Sequence, residues 1–191
     1  MTPKIIVIGT SLGGLNALTA LLAKLPGSLS VPVVIVQHRG LGLDGGLARL
    51  LSQRSGLTVI DAEDKMTLER GHAYLAPPDY HLLIEARGFM ALSTDPPVGS
   101  ARPSIDVLFE SAAHVYGPGV VGVVLTGASA DGADGLRVIT ERGGVAVVED
   151  PATAACATMP SAALSRTPDA RTLTIAQIGD YLSAVGDGAR G

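Results

Sequence analysis

The amino-acid sequence predicts an α/β protein: a doubly wound, mostly parallel sheet with helices on both faces and a small antiparallel excursion. Short runs of β-branched and aliphatic residues alternate along the chain with segments whose leucines recur at helical spacing. The runs are apolar throughout, which is typical of parallel strands that are buried on both faces. With 191 residues, 47% of them hydrophobic, the chain is long enough to build one core. We therefore expect a single domain over residues 1–191.

The alternation of strands and helices begins in the first part of the chain. Two strands are predicted at residues 4–8 (KIIVI) and 31–37 (VPVVIVQ), and the leucines between them mark one face of a helix that ends at Pro26-Gly27. Asp44 is expected to cap a second helix, with its leucines at 47, 50 and 51. A brief third strand follows at residues 57–60.

Residues 71 to 95 interrupt the alternation. Three short strands are predicted at residues 73–76, 80–85 and 89–93, joined by Pro-Pro-Asp and Arg-Gly turns. Since no helical segment separates them, we expect these strands to form the small antiparallel excursion.

Helical spacing returns at Ser104 and continues to Tyr116, with Ile105, Leu108 and Phe109 on one face. The remaining predicted strands are residues 120–126, 145–148 and 171–175. The remaining predicted helices are residues 132–142, 161–165 and a last one that ends near residue 185.

Composition excludes several classes of function. The net charge is −4 and the 14 basic residues are scattered, whereas nucleic-acid binding requires clustered Lys and Arg, so no nucleic-acid partner is expected. The one cysteine, Cys156, cannot form an internal disulfide and indicates a reducing compartment. Residues 5–23 carry no charge and resemble a signal peptide, but glycines 9, 13 and 14 interrupt them. We expect a cytoplasmic protein without membrane insertion.

The first candidate site residue is Ser11, in Gly9-Thr10-Ser11-Leu12-Gly13 between the first strand and the first helix. This Gly-x-Ser-x-Gly pattern is typical of a nucleophile elbow, in which small neighbours leave the serine hydroxyl exposed. A helix N-terminus beside the serine favours a developing oxyanion. The alternative is a glycine turn that packs helix against strand and perhaps binds a phosphate.

His38 and Asp131 follow two other predicted strands. A lone histidine at a strand end is more often structural than catalytic, and an aspartate before a helix is a common N-cap. Ligands of such sheets, however, bind outside the carboxyl ends of the strands. A serine, a histidine and an aspartate at three strand ends together favour a catalytic triad, with Asp131 orienting the imidazole of His38.

The order Ser, His, Asp differs from that of ordinary α/β-hydrolases. Together with several sequence blocks, it resembles the catalytic domain of the bacterial chemotaxis protein-glutamate methylesterases, from Ile5 to about Leu164. The blocks are IVIGTSLGG, VIVQH, YLAPPDYHLLIE, RPSIDVLFESAA, VVLTGASADGADGL and EDPATAACATMPSAAL.

The resemblance implies a serine hydrolase with Ser11 as nucleophile, His38 as base and Asp131 as the orienting acid. It implies hydrolysis of glutamate methyl esters on chemoreceptor cytoplasmic domains, with methanol as the second product; some members also deamidate receptor glutamines. No metal or cofactor is needed. Oxyanion donors are expected among the backbone N–H groups near Leu12 and Ala128.

The chain also departs from the family pattern. The family often has Thr or Ser in place of Leu12 and a Met-Gly pair in place of Ala128-Ser129, which affects oxyanion geometry and substrate range. Family members usually carry a phosphorylatable receiver domain before the catalytic one, whereas this sequence starts almost at the first strand. The resemblance thus implies a stand-alone or trimmed catalytic domain, for which a separate receiver domain or response regulator is a candidate partner.

Other residues receive structural interpretations. His72, His81 and His114 lack metal-ligand spacing, Cys156 is predicted to be a small core residue, and Arg102 to hold a loop.

Two other functions were weighed. A dinucleotide-binding domain is disfavoured because Ser11 replaces the middle glycine of the fingerprint and Gln37-His38 stand where an acidic residue is required. A non-catalytic receptor-binding or signalling module with the same fold is the alternative to the enzyme.

Overall fold

The computed structural model describes residues 4–39 and 46–187. Seven parallel strands form the main sheet in the order β3-β4-β2-β1-β7-β8-β9, and β5 and β6 form a separate antiparallel hairpin. The strands are β1 (Ile5–Thr10), β2 (Val33–Gln37), β3 (Thr58–Asp61), β4 (His72–Leu75), β5 (His81–Glu85), β6 (Phe89–Ser93), β7 (Val120–Val124), β8 (Val145–Glu149) and β9 (Arg171–Leu173). The predicted fold class is confirmed.

Six α-helices cover the sheet within the described residues. They are α1 (Gly14–Leu22), α2 (Leu47–Gln53), α3 (Ile105–Tyr116), α4 (Ala133–Glu141), α5 (Thr158–Arg166) and α6 (Ile175–Asp187). The predicted N-cap Asp44 lies outside the described residues. Ser104, where helical spacing was predicted to return, caps α3, since its hydroxyl accepts a hydrogen bond from the N–H of Val107. No helix in the described ranges is both long and apolar enough to cross a membrane.

Alternate residues of the central strand point into two separate cores. Ile5 and Val7 belong to a cluster built with α3, α4, α5 and the hairpin, whereas Ile6 and Ile8 belong to one built with α1, α2 and α6. Because both faces are covered, β1 is buried along its whole length. This explains why its sequence shows no alternation of polar and apolar residues.

The chain starts in the middle of the sheet and winds outwards in both directions. After β1 it builds β2, β3 and β4 on one side, and from β7 it builds β8 and β9 on the other. Such a change of direction opens a crevice at the carboxyl ends of the central strands. Here the crevice lies between β1 and β7, with β2 beside them.

One predicted strand is placed differently from the expectation. Residues 73–76 were expected in the antiparallel excursion, but β4 lies in the main sheet, parallel to both β2 and β3. Among the strands of the described residues, only β5 and β6 pair antiparallel. The connection from β3 to β4, residues 62–71, contains no helix, so the sequence carries no signal of a parallel crossover.

Candidate active site

Ser11 lies in the turn between β1 and α1, at the centre of the crevice. Gly13 precedes α1 with φ of 83°, a left-handed conformation that disfavours any other residue. A Cβ on Gly13 would also lie 2.7 Å from the Cβ of Ala155. The turn is therefore as tight as the nucleophile-elbow pattern predicts, with Ser11 next to the start of a helix.

Thr126, at the end of β7, fastens this turn to the loop that contains Asp131. Its carbonyl accepts hydrogen bonds from the N–H of Ser11 (2.9 Å) and the hydroxyl of Thr10 (2.8 Å). Its hydroxyl donates to the carbonyl of Leu12 at 2.9 Å. Its N–H donates to the buried carboxylate of Glu149 at 2.7 Å, and burial raises the pKa of that carboxyl against the effect of this bond.

His38 and Asp131 are in direct contact. The imidazole Nε2 lies 2.7 Å from Asp131 Oδ2, and their side chains are only 18% and 4% exposed. An ionised carboxylate only accepts hydrogen bonds, so Nε2 carries the proton and donates a hydrogen bond to Asp131. Nδ1 is then the nitrogen that can accept a proton from a nucleophile.

Asp131 lies against the N-terminus of α3 and does not cap α4. Oδ2 also accepts the N–H of Ile105 (2.7 Å), while Oδ1 accepts the N–H of Asp106 (3.0 Å) and the hydroxyl of Ser104 (2.9 Å). Burial raises the pKa of Asp131, but the hydrogen bonds from His38 and the two N–H groups outweigh it, and the pKa is lowered. Asp131 is thus held as a carboxylate that can stabilise an imidazolium.

Gln37 connects the serine and the histidine through their backbones. Its side-chain Nε2 donates to the carbonyls of Ser11 (2.9 Å) and His38 (2.8 Å). Among the described residues, the Ser11 hydroxyl has no hydrogen bond to His38. Such bonds are often long without substrate and tighten in the reacting complex. The structure therefore places all three predicted residues in one crevice and joins His38 directly to Asp131.

A cavity of about 330 Å³ opens beside His38. It is lined by His38, Arg39, Ser100, Ala101, Arg102 and Pro103. Arg102 donates twice to Asp79 Oδ1, at 2.9 and 2.6 Å, and once each to the carbonyls of Thr94 and Asp95. These bonds agree with the structural role predicted for Arg102, which holds the wall of the cavity.

Leu12 and Ala128 flank Ser11 at the surface of the crevice. The side chain of Leu12 is 63% exposed and Ala128 is also exposed. Within the described residues, neither backbone N–H donates a hydrogen bond to the protein. Both are therefore free to bind a ligand oxygen.

Several residues that build the site were not singled out from the sequence. Gln37 and Thr126 are the polar residues that close two otherwise apolar runs, and buried polar groups need partners. Their positions were a usable signal. The contacts of Ser104 and Asp106 with Asp131 were not predictable, because they join segments 25 or more residues apart.

Other expectations concern residues around the crevice. Cys156 is half-buried in the loop before α5, so its prediction as a core residue is wrong. Its N–H donates to the hydroxyl of Thr126, which draws this loop to the crevice. His81 is buried and hydrogen-bonded, in agreement with a structural role. No group of three or more His, Cys, Asp or Glu in the described ranges is arranged to hold a metal ion.

Known proteins share both the sequence and the fold. The family model of the CheB methylesterases matches residues 6–182. A protein of Leptospira interrogans, named provisionally as a protein-glutamate methylesterase/protein-glutamine glutaminase, is 45% identical over 180 residues, covering 94% of this chain and 93% of that protein. A relative with the same two activities in its name, from Symbiobacterium thermophilum, is 36% identical over 97% of this chain. This chain spans about half of that relative's length, 51%.

A solved structure gives the same result. The crystal structure of the Thermotoga maritima CheB methylesterase catalytic domain superposes with a TM-score of 0.92 at 32% identity, covering 97% of this chain and all of that one. The match of the family model over most of the chain and the shared fold lead to one conclusion: this chain belongs to the CheB methylesterase family.

Proposed function

We propose that this protein is a serine hydrolase that removes methyl groups from glutamate methyl esters on chemoreceptor cytoplasmic domains. The observation that carries the proposal is the His38–Asp131 pair beside the Ser11 turn, with Nε2 of His38 bound to a buried carboxylate. This arrangement is the one that acyl transfer by a serine requires. The family membership supplies the ester, since relatives are named protein-glutamate methylesterases.

In the proposed reaction, Ser11 Oγ attacks the ester carbonyl while His38 Nδ1 accepts the hydroxyl proton. The oxyanion of the tetrahedral intermediate binds the free N–H groups of Leu12 and Ala128. The intermediate collapses, and His38 returns the proton to the departing methoxide, which leaves as methanol. Water then attacks the acyl-enzyme with the same base, which frees Ser11 and a glutamate carboxylate.

Deamidation is a second candidate activity, because the names of the relatives also contain protein-glutamine glutaminase. The same steps would release ammonia from a glutamine side chain. An amide is a poorer acyl donor than an ester, so we expect this activity to be the slower one. We also propose that the catalytic unit spans the whole chain, residues 1–191, and acts in the cytoplasm, where the receptor segments lie.

Methanol release from receptor cytoplasmic fragments tests the substrate. The parent chain is incubated with fragments that carry methylated glutamates, fragments with glutamine at those positions, and fragments with unmodified glutamate. We expect methanol from the first, slower ammonia from the second and no product from the third. Ser11→Ala should abolish both products, whereas Ser165→Ala, at an exposed serine of α5, should not.

Folded parent protein that releases no methanol from methylated fragments would contradict the proposal. Hydrolysis of a small methyl ester without hydrolysis of the receptor fragments would support the esterase activity but exclude the receptor as its substrate. Binding of the fragments without either product would instead favour the non-catalytic module.

A further inference from the structure

At the N-termini of α3 and α4, an aspartate from each segment accepts backbone N–H groups of the other. Asp131, directly before α4, accepts the N–H groups of Ile105 and Asp106 at the start of α3. In return, Asp106 Oδ1 accepts the N–H groups of Gly132 (3.0 Å) and Gly135 (2.7 Å) at the start of α4. Each aspartate thereby satisfies N–H groups that the other helix cannot satisfy by itself.

This exchange fixes Asp131 from two sides. The N–H of Asp106 donates to Asp131 Oδ1 at 3.0 Å, and its carboxylate holds Gly132, the next residue after Asp131. Gly132 has φ of 95°, and a Cβ there would lie 2.6 Å from Cγ2 of Ile105. The backbone at this point has little room to shift, so the direction of the Asp131 side chain depends on the contact with Asp106.

We propose that Asp106 is a positioning residue for the reaction, holding Asp131 against His38 by fixing the start of α4. Its kinetic tests rest on the proposed function, since Asp106 acts only through Asp131 and His38.

Several titratable and charged groups surround Asp106. Asp106 faces Asp131 and Asp134, and Asp134 lies 3.9 and 3.7 Å from the guanidinium groups of Arg137 and Arg166. From β5, His81 reaches the same region by accepting the N–H of Ser104 at 3.2 Å. Burial raises the pKa of Asp106 to about 6; the N–H of Gly135 opposes this and the charge of Asp131 adds to it.

A residue that only supported folding would leave the His38–Asp131 hydrogen bond of every folded variant unchanged.

Three variants test the role by methanol release, with kcat and KM measured separately. Asp106→Ala should lower kcat by about 10- to 100-fold and leave KM within about twofold, because it misplaces Asp131 without touching the substrate site. Asp106→Asn keeps an oxygen for Gly132 and Gly135, so most of kcat should remain. Glu110→Ala, which removes an exposed acid one turn further along α3, should leave kcat and KM unchanged.

A spectroscopic readout makes the test independent of the substrate. The Nε2–H resonance of His38, assigned by its loss in His38→Gln, reports the hydrogen bond to Asp131. We expect it to shift or disappear in Asp106→Ala and to persist in Asp106→Asn and Glu110→Ala. If the parent releases no methanol, the methylesterase proposal fails, while this resonance still decides the role of Asp106.

Two results would overturn the inference. One is a folded Asp106→Ala variant with the His38 resonance and kcat of the parent. If that variant does not fold, the other is a folded Asp106→Asn variant that loses kcat and the His38 resonance although it keeps an oxygen for Gly132 and Gly135.

Discussion

At the scale of single residues, the side-chain amide of Gln37 connects the proposed nucleophile to the proposed base. One NH₂ group has two donors, and these bind the carbonyls of Ser11 and His38. The amide is held in place by close packing, because a Cβ on Gly14 would lie only 2.0 Å from its oxygen. The separation between nucleophile and base thus depends on one buried side chain that takes no part in proton transfer.

Replacing Gln37 by glutamate tests this dependence. The substitution keeps the shape but turns oxygen atoms towards two carbonyl oxygens, which repel them. We expect kcat to fall about 10- to 100-fold, the scale that misplacement of a catalytic group produces. Gln53→Glu makes the same change at an exposed position at the end of α2 and should leave kcat unaltered. Equal rates for Gln37→Glu and the parent would show that the amide does not set this separation.

Asp131 should leave a signature in the pH dependence of stability. Its pKa is lowered in the folded protein, so its stabilisation is present above the unfolded value of about 3.9 and is lost as pH falls through the folded pKa. We expect Asp131→Asn to lose about 1–3 kcal/mol of unfolding free energy at pH 7, since it leaves buried donors unsatisfied.

Urea unfolding of the parent and Asp131→Asn from pH 7 to pH 3 measures this difference. The two midpoints should converge as the pH falls below about 4. Glu110→Gln, at an exposed carboxylate of α3, provides the control and should show no such convergence. A difference in urea midpoint between the parent and Asp131→Asn that stays constant down to pH 3 would contradict this role of Asp131.

At the scale of elements, the site is made where the ends of several elements meet. The turn from β1 to α1, the loop after β7 and the loop before α5 are held together through Thr126. Gly13 is doubly constrained, because a left-handed φ and the nearby Ala155 both disfavour a side chain. The shape of the turn therefore depends on this glycine.

We expect Gly13→Ala to lower the unfolding free energy by about 1–3 kcal/mol, the range for residues forced into unfavourable backbone regions. It should also lower kcat, because Ser11 and Leu12 shift with the turn. Urea unfolding and methanol release measure the two effects. Gly46→Ala is the matched control, since φ there is −109° and a Cβ would meet nothing within 4 Å. If Gly13→Ala lowers the unfolding free energy no more than Gly46→Ala does, the backbone strain at position 13 is refuted.

At the scale of the whole molecule, the two cores have different relations to the site. The core with α3 and α4 supports Asp131, whereas the core with α1, α2 and α6 lies on the other face of the sheet. Leu182 is a fully buried residue of the second core. Its loss should destabilise the protein without reaching the His38–Asp131 pair.

Leu182→Ala is expected to cost about 2–5 kcal/mol of unfolding free energy, the usual range for a buried leucine. Below the unfolding temperature, kcat per folded molecule should remain that of the parent. Denaturation and turnover measured on the same samples check this. A large loss of kcat in the folded fraction would mean that the two faces are coupled.

Sequence patterns predicted most of the fold but less of the site. The apolar runs at β1, β2 and β7 and the start of α3 near Ser104 could be predicted locally, because each depends on neighbouring residues. The place of β4 could not, since its partners β2 and β3 are chosen by distant contacts. In the same way, Ser11, His38 and Asp131 were found by their positions after strands, whereas the contacts of Asp131 with α3 needed the assembled structure.

Methanol release by Ser11→Ala, His38→Gln and the double variant, measured beside the parent on methylated receptor fragments, tests the proposed triad most directly. Substitutions of two residues that act as one catalytic unit do not have additive effects on the rate, because the loss of one residue already abolishes the contribution of the other. We predict that both single variants fall to a similar residual rate and that the double variant is no slower. Parent-like turnover by Ser11→Ala, or losses that multiply in the double variant, would contradict a shared mechanism of Ser11 and His38.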